Sequence, residues 1–254
     1  MAAAHDVAID GLSLIATEHS HEAAERAVAL ARSGQVDALM KGSLQTDELM
    51  SATVAVHIGL ATDRRMSHVS VMDVPTYARP LFITDTASNI EPDLAAKQDI
   101  VQNAIDLALA VGVETPKVAI LSAIGTVNPK LRSSLEAAVL AKMAERGQIV
   151  GGVVDGPLAF DDAVSPATAR VRGIASPVTG RADLVVVPDL ESGAMLVQQL
   201  GALGDSQAAG IVLGGRVPIV LTSRADSPLG RVASCALAVL VARAAPWWRG
   251  RPGG

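Results

Sequence analysis

The sequence has 254 residues, and half of them are apolar, which is enough for one large or two modest α/β domains with buried cores. A formal charge of −5 without a dense Lys/Arg block excludes the basic surface that nucleic-acid binding needs, and the first residues predict neither a signal peptide nor a membrane span. Cys235 is the only cysteine, which excludes an internal disulfide and Cys-based zinc clusters and favours a cytoplasmic location.

The first part of the chain predicts alternating helices and strands. Apolar residues at helical spacing begin at Ser20 and meet a stop at Gly34, and VDALM follows as a buried strand. KGSLQT then leads into a helix that we expect to end near His57. SHVSVMDV and LFITD are strand-like, and the link between them is too short for a crossover helix, which predicts an antiparallel pair.

The later part continues the alternation. A helix over residues 95–111 precedes the strand KVAILS, and Ser133 and Glu136 have the spacing of a capping box for a helix that ends at Gly147. The final helix is predicted to have Ser227 as its N-cap and Pro228 as its first residue. Further strands are predicted in QIVGGVVDG, DLVVVPD, GIVLGG and PIVLTS. This order predicts an α/β fold with a mostly parallel sheet and ligand sites in the loops after strands.

The first candidate site is the loop KGSLQT. Lys41, Gly42 and Thr46 offer a cation, a permissive glycine and a hydroxyl just before a helix, which together suit a phosphate or another anion. The structural alternative is that Thr46 caps the helix and Lys41 is a solvated surface charge.

Other strand ends carry carboxylates and small residues. Asp85 and Asp155 are candidates for a base or a ligand, although lone acids in such loops also form turns and helix caps. The small residues that would let a ligand approach are Ser122, Gly156, Ser192 and Gly193. Helix initiation explains Ser192 and Gly193 equally well.

The segment Ser223–Ser227 is the strongest candidate. A strand delivers a hydroxyl, a guanidinium and a carboxylate just before a helix, in Ser223, Arg224 and Asp226. Arginine can bind a phosphoryl group through two hydrogen bonds. Helix capping explains Ser227 but leaves Arg224 without a structural reason.

The histidines and the cysteine are interpreted as structural. No two histidines have the spacing of a helical metal pair, so no metal site is predicted. His68 either faces a cleft or is a satisfied strand residue, and the sequence favours the second. Cys235 lies in an apolar helix without a neighbouring histidine, which indicates a buried inert thiol.

Taken in order, LMKGSLQTDELM, SHVSVMDVPTY, LFITD, DIVQNAIDLA, KVAILS, AKMAERGQIVGGVVDGPLAFDDAVSP, ADLVVVPDLESG and VPIVLTSRADS resemble the phosphate acetyl/butyryl transferase family over nearly the whole chain. The resemblance is strongest to phosphotransbutyrylases and to the acyltransferase half of fusions with an enoyl-CoA hydratase domain. It implies a two-domain fold similar to isocitrate and isopropylmalate dehydrogenases, with residues 1–86 and 213–254 in one domain, 87–212 in the other and a ligand cleft between them. It also implies a homodimer, coenzyme A and phosphate as substrates, and no tightly bound cofactor.

The resemblance further implies direct transfer of a short acyl group, acetyl or butyryl, between coenzyme A and phosphate in a ternary complex without an acyl-enzyme. Arg224 would bind phosphate, and Ser223 would stabilise the tetrahedral oxyanion. Phosphotransacetylases proper carry a candidate general-base aspartate where this sequence has Gly230. The base therefore stays open between Asp226, Asp85 and Asp155.

The sequence shows a second departure from the family and leaves two alternative functions open. Family members carry another βα segment before the part that this sequence matches, so we expect the first domain to lack it. A second function, suggested by Gly230, is a regulatory domain that binds acyl-CoA without transfer. A third function is that of a dehydrogenase of the same fold acting on a phosphorylated hydroxy acid. The sequence has neither clustered metal ligands nor a Gly-rich dinucleotide fingerprint, which argues against this third function.

Overall fold

The computed structural model describes residues 10–55, 58–223 and 226–244. The helices are α1 (Ser20–Arg32), α2 (Thr46–Val54), α3 (Leu94–Ala110), α4 (Arg132–Glu145), α5 (Phe160–Val164), α6 (Pro166–Arg172), α7 (Leu190–Leu203) and α8 (Pro228–Arg243). The strands are β1 (Leu39–Met40), β2 (Ser67–Asp73), β3 (Leu81–Thr84), β4 (Lys117–Leu121), β5 (Val153–Leu158), β6 (Leu184–Val186), β7 (Gln207–Leu213) and β8 (Ile219–Val220). In these ranges no helix combines the length and the apolar character needed to span a bilayer.

These strands form one sheet in the order β1-β8-β7-β2-β3-β6-β4-β5. The neighbouring pairs β3–β6, β6–β4, β4–β5 and β1–β8 are parallel. β2 runs antiparallel to both β3 and β7, and β7 runs antiparallel to β8. The predicted α/β class with a mostly parallel sheet is confirmed, and so is the antiparallel pair of β2 and β3.

Most predicted helix ends agree with the structure, and one is wrong. Ser227 accepts a hydrogen bond of 3.0 Å from the Gly230 amide and Pro228 opens α8, as predicted. Helix α4 begins at Arg132, so Ser133 lies inside its first turn and caps nothing. The side chains of the expected capping box have tertiary partners instead: the Ser133 hydroxyl lies 2.9 Å from that of Ser122, and Glu136 pairs with Lys97 of α3 and with Arg132. The predicted end of α2 at His57 falls outside the described residues.

Apolar side chains cover the two faces of the sheet in three clusters. Successive residues of a strand point to opposite faces. Leu184 and Val186 of β6 therefore lie on a first face, in a cluster with residues of α3, α4 and α8, whereas Val185 lies on the second face, against α5 and α7. A third cluster packs α1 and α2 on Val212 of β7, which points to the second face because Ile211 belongs to the first. The second face thus carries two separate apolar clusters.

Candidate active site

A polar strip separates the two clusters of the second face. In β2, Val69 belongs to the cluster of the first face, so His68 and Ser70 point to the second. Ser70 is paired across the ladder with Gly210 of β7. A Cβ added to Gly210 would lie 2.7 Å from Nε2 of His68, so the imidazole occupies the space that a side chain there would need. This strip brings a buried histidine to the junction of the two clusters.

Hydrogen bonds fix the backbone of His68 and one of its two ring nitrogens. Its Nδ1 lies 2.7 Å from Oγ1 of Thr86, and this hydroxyl lies 3.0 Å from Oγ of Ser70. The backbone amide of His68 donates to Oδ1 of Asp85 over 3.3 Å, and its carbonyl accepts from the Thr84 hydroxyl over 2.9 Å. We call His68, Ser70 and Thr86 the histidine cluster.

The carboxylate of Asp85 is buried and fully engaged within the protein. Its two oxygens accept hydrogen bonds from the backbone amides of His68, Ala87, Ser88 and Asn89 and from the side-chain amide of Asn89. The side-chain oxygen of Asn89 accepts a hydrogen bond of 2.7 Å from Nε of Arg65. Asp85 therefore shapes the loop after β3 and fixes the backbone of His68, and its oxygens are already occupied by these donors.

The start of α7 packs against this loop. Asp189 caps the helix, and its Oδ1 accepts from the amide and the hydroxyl of Ser192 over 2.8 and 2.7 Å. A Cβ on Gly193 would lie 2.6 Å from the carbonyl oxygen of Asp85 and 3.2 Å from Cγ2 of Thr86. The structure therefore brings the predicted residues Asp85, Ser192 and Gly193 together beside the histidine cluster.

The loop between β8 and α8 carries the next group of predicted site residues. The Ser223 amide donates to Oδ2 of Asp226 over 2.6 Å, and the Ser223 carbonyl accepts from Nη2 of Arg231 over 3.3 Å. The Ser227 hydroxyl donates to Oε1 of Gln207 over 3.0 Å, which places this loop beside β7, the neighbour of β2 in the sheet. Arg224, the predicted phosphate ligand, lies outside the described residues.

Lys41 joins the same region through the backbone. Its Nζ donates to the carbonyls of Gly42 and Leu44 over 3.2 and 3.0 Å, so the ammonium braces its own loop. Its carbonyl accepts from the Thr222 hydroxyl over 2.6 Å, which ties it to the residue before Ser223.

Gln45, rather than Thr46, caps α2 through a capping box with Glu48, so the structural alternative for Thr46 is wrong. The loop borders a cavity of about 630 Å³ shared with α1.

The remaining predicted residues lie further along the sheet. Ser122 follows β4, which is two strands from β3 in the sheet order, or roughly 10 Å at the usual spacing. Asp155 lies within the edge strand β5, paired with Ala119, and its Oδ1 accepts from the neighbouring Gly156 amide over 2.8 Å. A Cβ on Gly156 would lie 2.7 Å from the Ile120 carbonyl oxygen. Strand packing therefore accounts for Gly156, and Asp155 is remote from the histidine cluster.

The protonation state of His68 follows from its surroundings. Burial lowers its pKa, and the charges of Asp85 and Asp226 raise it less. The ring is therefore neutral near pH 7 and able to accept a proton. Among the described residues there is no group of three or more His, Cys, Asp or Glu side chains placed to hold a metal.

The sequence favoured a satisfied strand residue for His68, and its buried ring bonded to Thr86 agrees with this, but the sequence did not indicate that His68 lies beside the loop of Asp85. The signal that could have found it is the spacing of His68 and Ser70, two polar residues on one face of an otherwise apolar strand. Thr86 gave no such signal, because its contact with His68 depends on the pairing of β2 with β3. Cys235 lies on α8 with its Sγ 3.4 Å from Sδ of Met40.

Known proteins match this chain over almost its full length. The family described as "Phosphate acetyl/butaryl transferase" matches residues 12–239. A phosphate acetyltransferase of Rhizobium meliloti is 59% identical over 242 residues, which are 95% of this chain and 77% of that protein. A phosphate butyryltransferase of Clostridium acetobutylicum is 42% identical over 234 residues, or 92% of this chain and 78% of that protein.

Among solved structures, a branched-chain phosphotransacylase from Enterococcus faecalis V583 superposes with a TM-score of 0.83 and 32% identity, covering 90% of this chain and 82% of that one. The α/β fold of this chain is therefore that of a phosphotransacylase. The chain belongs to the phosphate acetyl/butyryl transferase family, as the sequence motifs indicated.

Proposed function

We propose that this protein is an enzyme that moves a short acyl group, acetyl or butyryl, between coenzyme A and inorganic phosphate. The observation that carries the proposal is the 59% identity over 95% of the chain with a phosphate acetyltransferase. The 42% identity with a phosphate butyryltransferase supports the same reaction with a longer acyl group.

The loop after β8 is the proposed phosphate end of the site. Arg224 binds the phosphoryl group through paired hydrogen bonds. Ser223 stabilises the oxyanion of the tetrahedral intermediate. The hydrogen bond from the Ser223 amide to Asp226 supports this role, since it fixes the backbone that carries the hydroxyl.

The proposed transfer is direct. In one direction the sulfur of coenzyme A attacks the carbonyl carbon of the acyl phosphate, the carbonyl oxygen takes up the negative charge, and the bond to the phosphate oxygen then breaks. In the other direction a phosphate oxygen attacks the thioester and the thiol leaves. Because the Cys235 thiol on α8 contacts Met40 of β1 rather than the histidine cluster, we assign it no acyl-carrying role.

Assembly and location complete the proposal. We propose a cytoplasmic homodimer, supported by exposed apolar residues on α7, where Met195 is 62% and Leu203 83% exposed. We also propose that residues 1–86 with 213–254 and residues 87–212 form two domains. The cluster that packs α1 and α2 supports the joining of the two chain ends in one domain, because it also contains Val217 and Ile219.

A thiol-reagent assay tests the proposed function. The purified protein is incubated with acetyl-, propionyl- or butyryl-CoA, with and without phosphate, and free thiol is followed over time. We expect thiol release only with phosphate, a large loss in Arg224→Ala, and wild-type rates in Arg146→Ala, which removes an exposed arginine at the end of α4. Binding of acyl-CoA without any phosphate-dependent release would contradict the proposal and favour a regulatory domain.

A further inference from the structure

The proposed reaction needs a proton acceptor for the thiol of coenzyme A, and the described carboxylates are poor candidates. Asp85 has both oxygens engaged by five donors. Asp155 lies in the edge strand β5. Asp226 accepts from the Ser223 amide through Oδ2, so one of its oxygens holds the loop that it belongs to, and Asp226 is the competing candidate that the variants below test.

A carboxylate cannot be supplied at the start of α8 either. Gly230 is buried there, and a Cβ at this position would lie 2.5 Å from the carbonyl oxygen of Ala208 in β7. A side chain at residue 230 therefore requires the helix to move away from the strand. With this backbone, the loop after β8 presents no second acid from that position.

His68 is a buried base with one ring nitrogen held by the protein. Its Nδ1 is bonded to Thr86, whereas no group within residues 10–55, 58–223 and 226–244 forms a hydrogen bond with its Nε2. The residue is buried, with 7% of its surface exposed. The ring thus has one engaged nitrogen, Nδ1, and one nitrogen beside Gly210 of β7, Nε2, that none of the described groups engages.

We propose that Nε2 of His68 is the proton acceptor of the acyl transfer, an inference that rests on the proposed function. As the sulfur of coenzyme A bonds to the carbonyl carbon of the acyl phosphate, Nε2 takes the thiol proton. When the tetrahedral intermediate collapses and the bond to phosphate breaks, the imidazolium returns this proton to the leaving phosphate. The products are acyl-CoA and hydrogen phosphate, and His68 is neutral again.

Thr86 and Ser70 are positioning residues in this scheme. If Nδ1–H donates to Oγ1 of Thr86, and the Thr86 hydroxyl in turn donates to Oγ of Ser70, the lone pair of the ring lies on Nε2. Gly210 leaves room for the ring on the strand side. Among the described residues, the charged groups that act on the ring are Asp85 after β3 and Asp226 before α8, and both favour the imidazolium that forms during transfer.

Steady-state kinetics in the direction of acyl-CoA formation test the assignment. We expect His68→Gln to lower kcat by about 10²- to 10⁴-fold, the usual contribution of a general base, with KM for coenzyme A and for acetyl phosphate nearly unchanged. We expect the wild-type rate to fall on acidification as the ring becomes protonated, and this inflection to be missing in His68→Gln. The matched control is His21→Gln on α1, whose side chain is 71% exposed, and it keeps the wild-type rate and profile.

Two further variants test the geometry without removing the ring. Thr86→Val removes the hydroxyl that bonds Nδ1, and we expect kcat to fall by roughly 2- to 10-fold, as for one neutral hydrogen bond. Thr86→Ser keeps a hydroxyl and should restore most of the rate, which a purely structural role of the Thr86 methyl group would not predict. Asp226→Asn should keep the acidic inflection even where it lowers the rate.

Two results would overturn the assignment. One is a His68→Gln enzyme with nearly wild-type kcat and an unchanged pH profile. The other is loss of the inflection in Asp226→Asn together with its retention in His68→Gln, since Asp226 would then be the base.

Imidazole NMR separates this inference from the proposed function, because it needs no turnover. We expect saturating coenzyme A to shift the Nε2 resonance of His68 and leave that of His21 unmoved. If the wild type makes no acyl phosphate, the proposed function fails; if the Nε2 resonance does not respond to coenzyme A, the assignment of His68 fails.

Discussion

Gly193 is where the start of α7 meets the loop that carries Asp85 and Thr86, and Gly193→Ala tests that contact. The new Cβ would lie 2.6 Å from the Asp85 carbonyl oxygen and 2.9 Å from Cγ2 of Val187, both inside the 3.0 Å that real Cβ atoms keep. The nearest atom belongs to the backbone, which cannot rotate away as a flexible side chain would. The helix or the loop must therefore shift.

The magnitude follows from two opposing effects. Overpacking of this kind costs roughly 1–3 kcal/mol. Replacing a helical glycine with alanine raises the free energy of unfolding by about 1 kcal/mol, because alanine has less backbone entropy to lose on folding. Because a contact of 2.6 Å with backbone belongs at the upper end of the range, we expect Gly193→Ala to lower the free energy of unfolding by about 1–2 kcal/mol. We also expect kcat to fall, since Thr86 moves with the loop.

Gly201→Ala is the matched control on the same helix. A Cβ at Gly201 meets no atom within 4 Å, so only the entropic effect remains. We expect this variant to raise the free energy of unfolding by about 0.5–1 kcal/mol. Urea denaturation followed by circular dichroism measures both. Equal stabilisation by the two alanines would refute the close packing of α7 on the β3 loop.

Three further predictions follow from the same geometry. Because the pKa of His68 is lowered in the folded state, the unfolded chain binds more protons than the folded one. The contribution of the neutral ring to the free energy of unfolding is therefore complete above about pH 6.5 and is lost as the pH falls through the folded pKa, by up to about 1.4 kcal/mol per pH unit. Urea titrations at several pH values should show this pH dependence in the wild type and not in His68→Gln. Gly230→Asp should cost about 1–3 kcal/mol in the same assay without raising kcat, because its Cβ meets the Ala208 carbonyl; a stable variant with higher kcat would contradict this reasoning. Cys235→Ser should keep kcat within about twofold in the thiol assay, and its inactivation would indicate an acyl-enzyme.

Local signals in the sequence were sufficient for most of the fold. Ser227 and Pro228 mark the start of α8 correctly because capping depends only on neighbouring residues. The capping box at Ser133 failed for the opposite reason. Tertiary partners, Ser122 for its hydroxyl and Lys97 for Glu136, take the side chains that a local rule assigns to the helix end. The sequence could not show those partners, since they come from other elements.

The same difference between local and long-range signals applies to the residues of the candidate site. The loop residues Asp85, Ser192 and Gly193 were predicted because they follow strands whose carboxyl ends share an edge of the sheet. The contacts of the His68 ring could not be predicted, because the Thr86 hydroxyl that engages Nδ1 and the glycine at 210 that leaves room for the ring belong to other elements. Asp85 shows the converse, since only the structure reveals that five donors occupy its oxygens.

The central claim is transfer of an acyl group to phosphate, and ³¹P NMR of the reaction mixture tests it most directly. The protein is incubated with acetyl-CoA or butyryl-CoA and inorganic phosphate, and the phosphorus signals are compared with the amount of free thiol. The account predicts an acyl phosphate resonance that grows in equal amount with the released thiol. Release of thiol with the phosphate signal unchanged would mean hydrolysis, and would contradict the account.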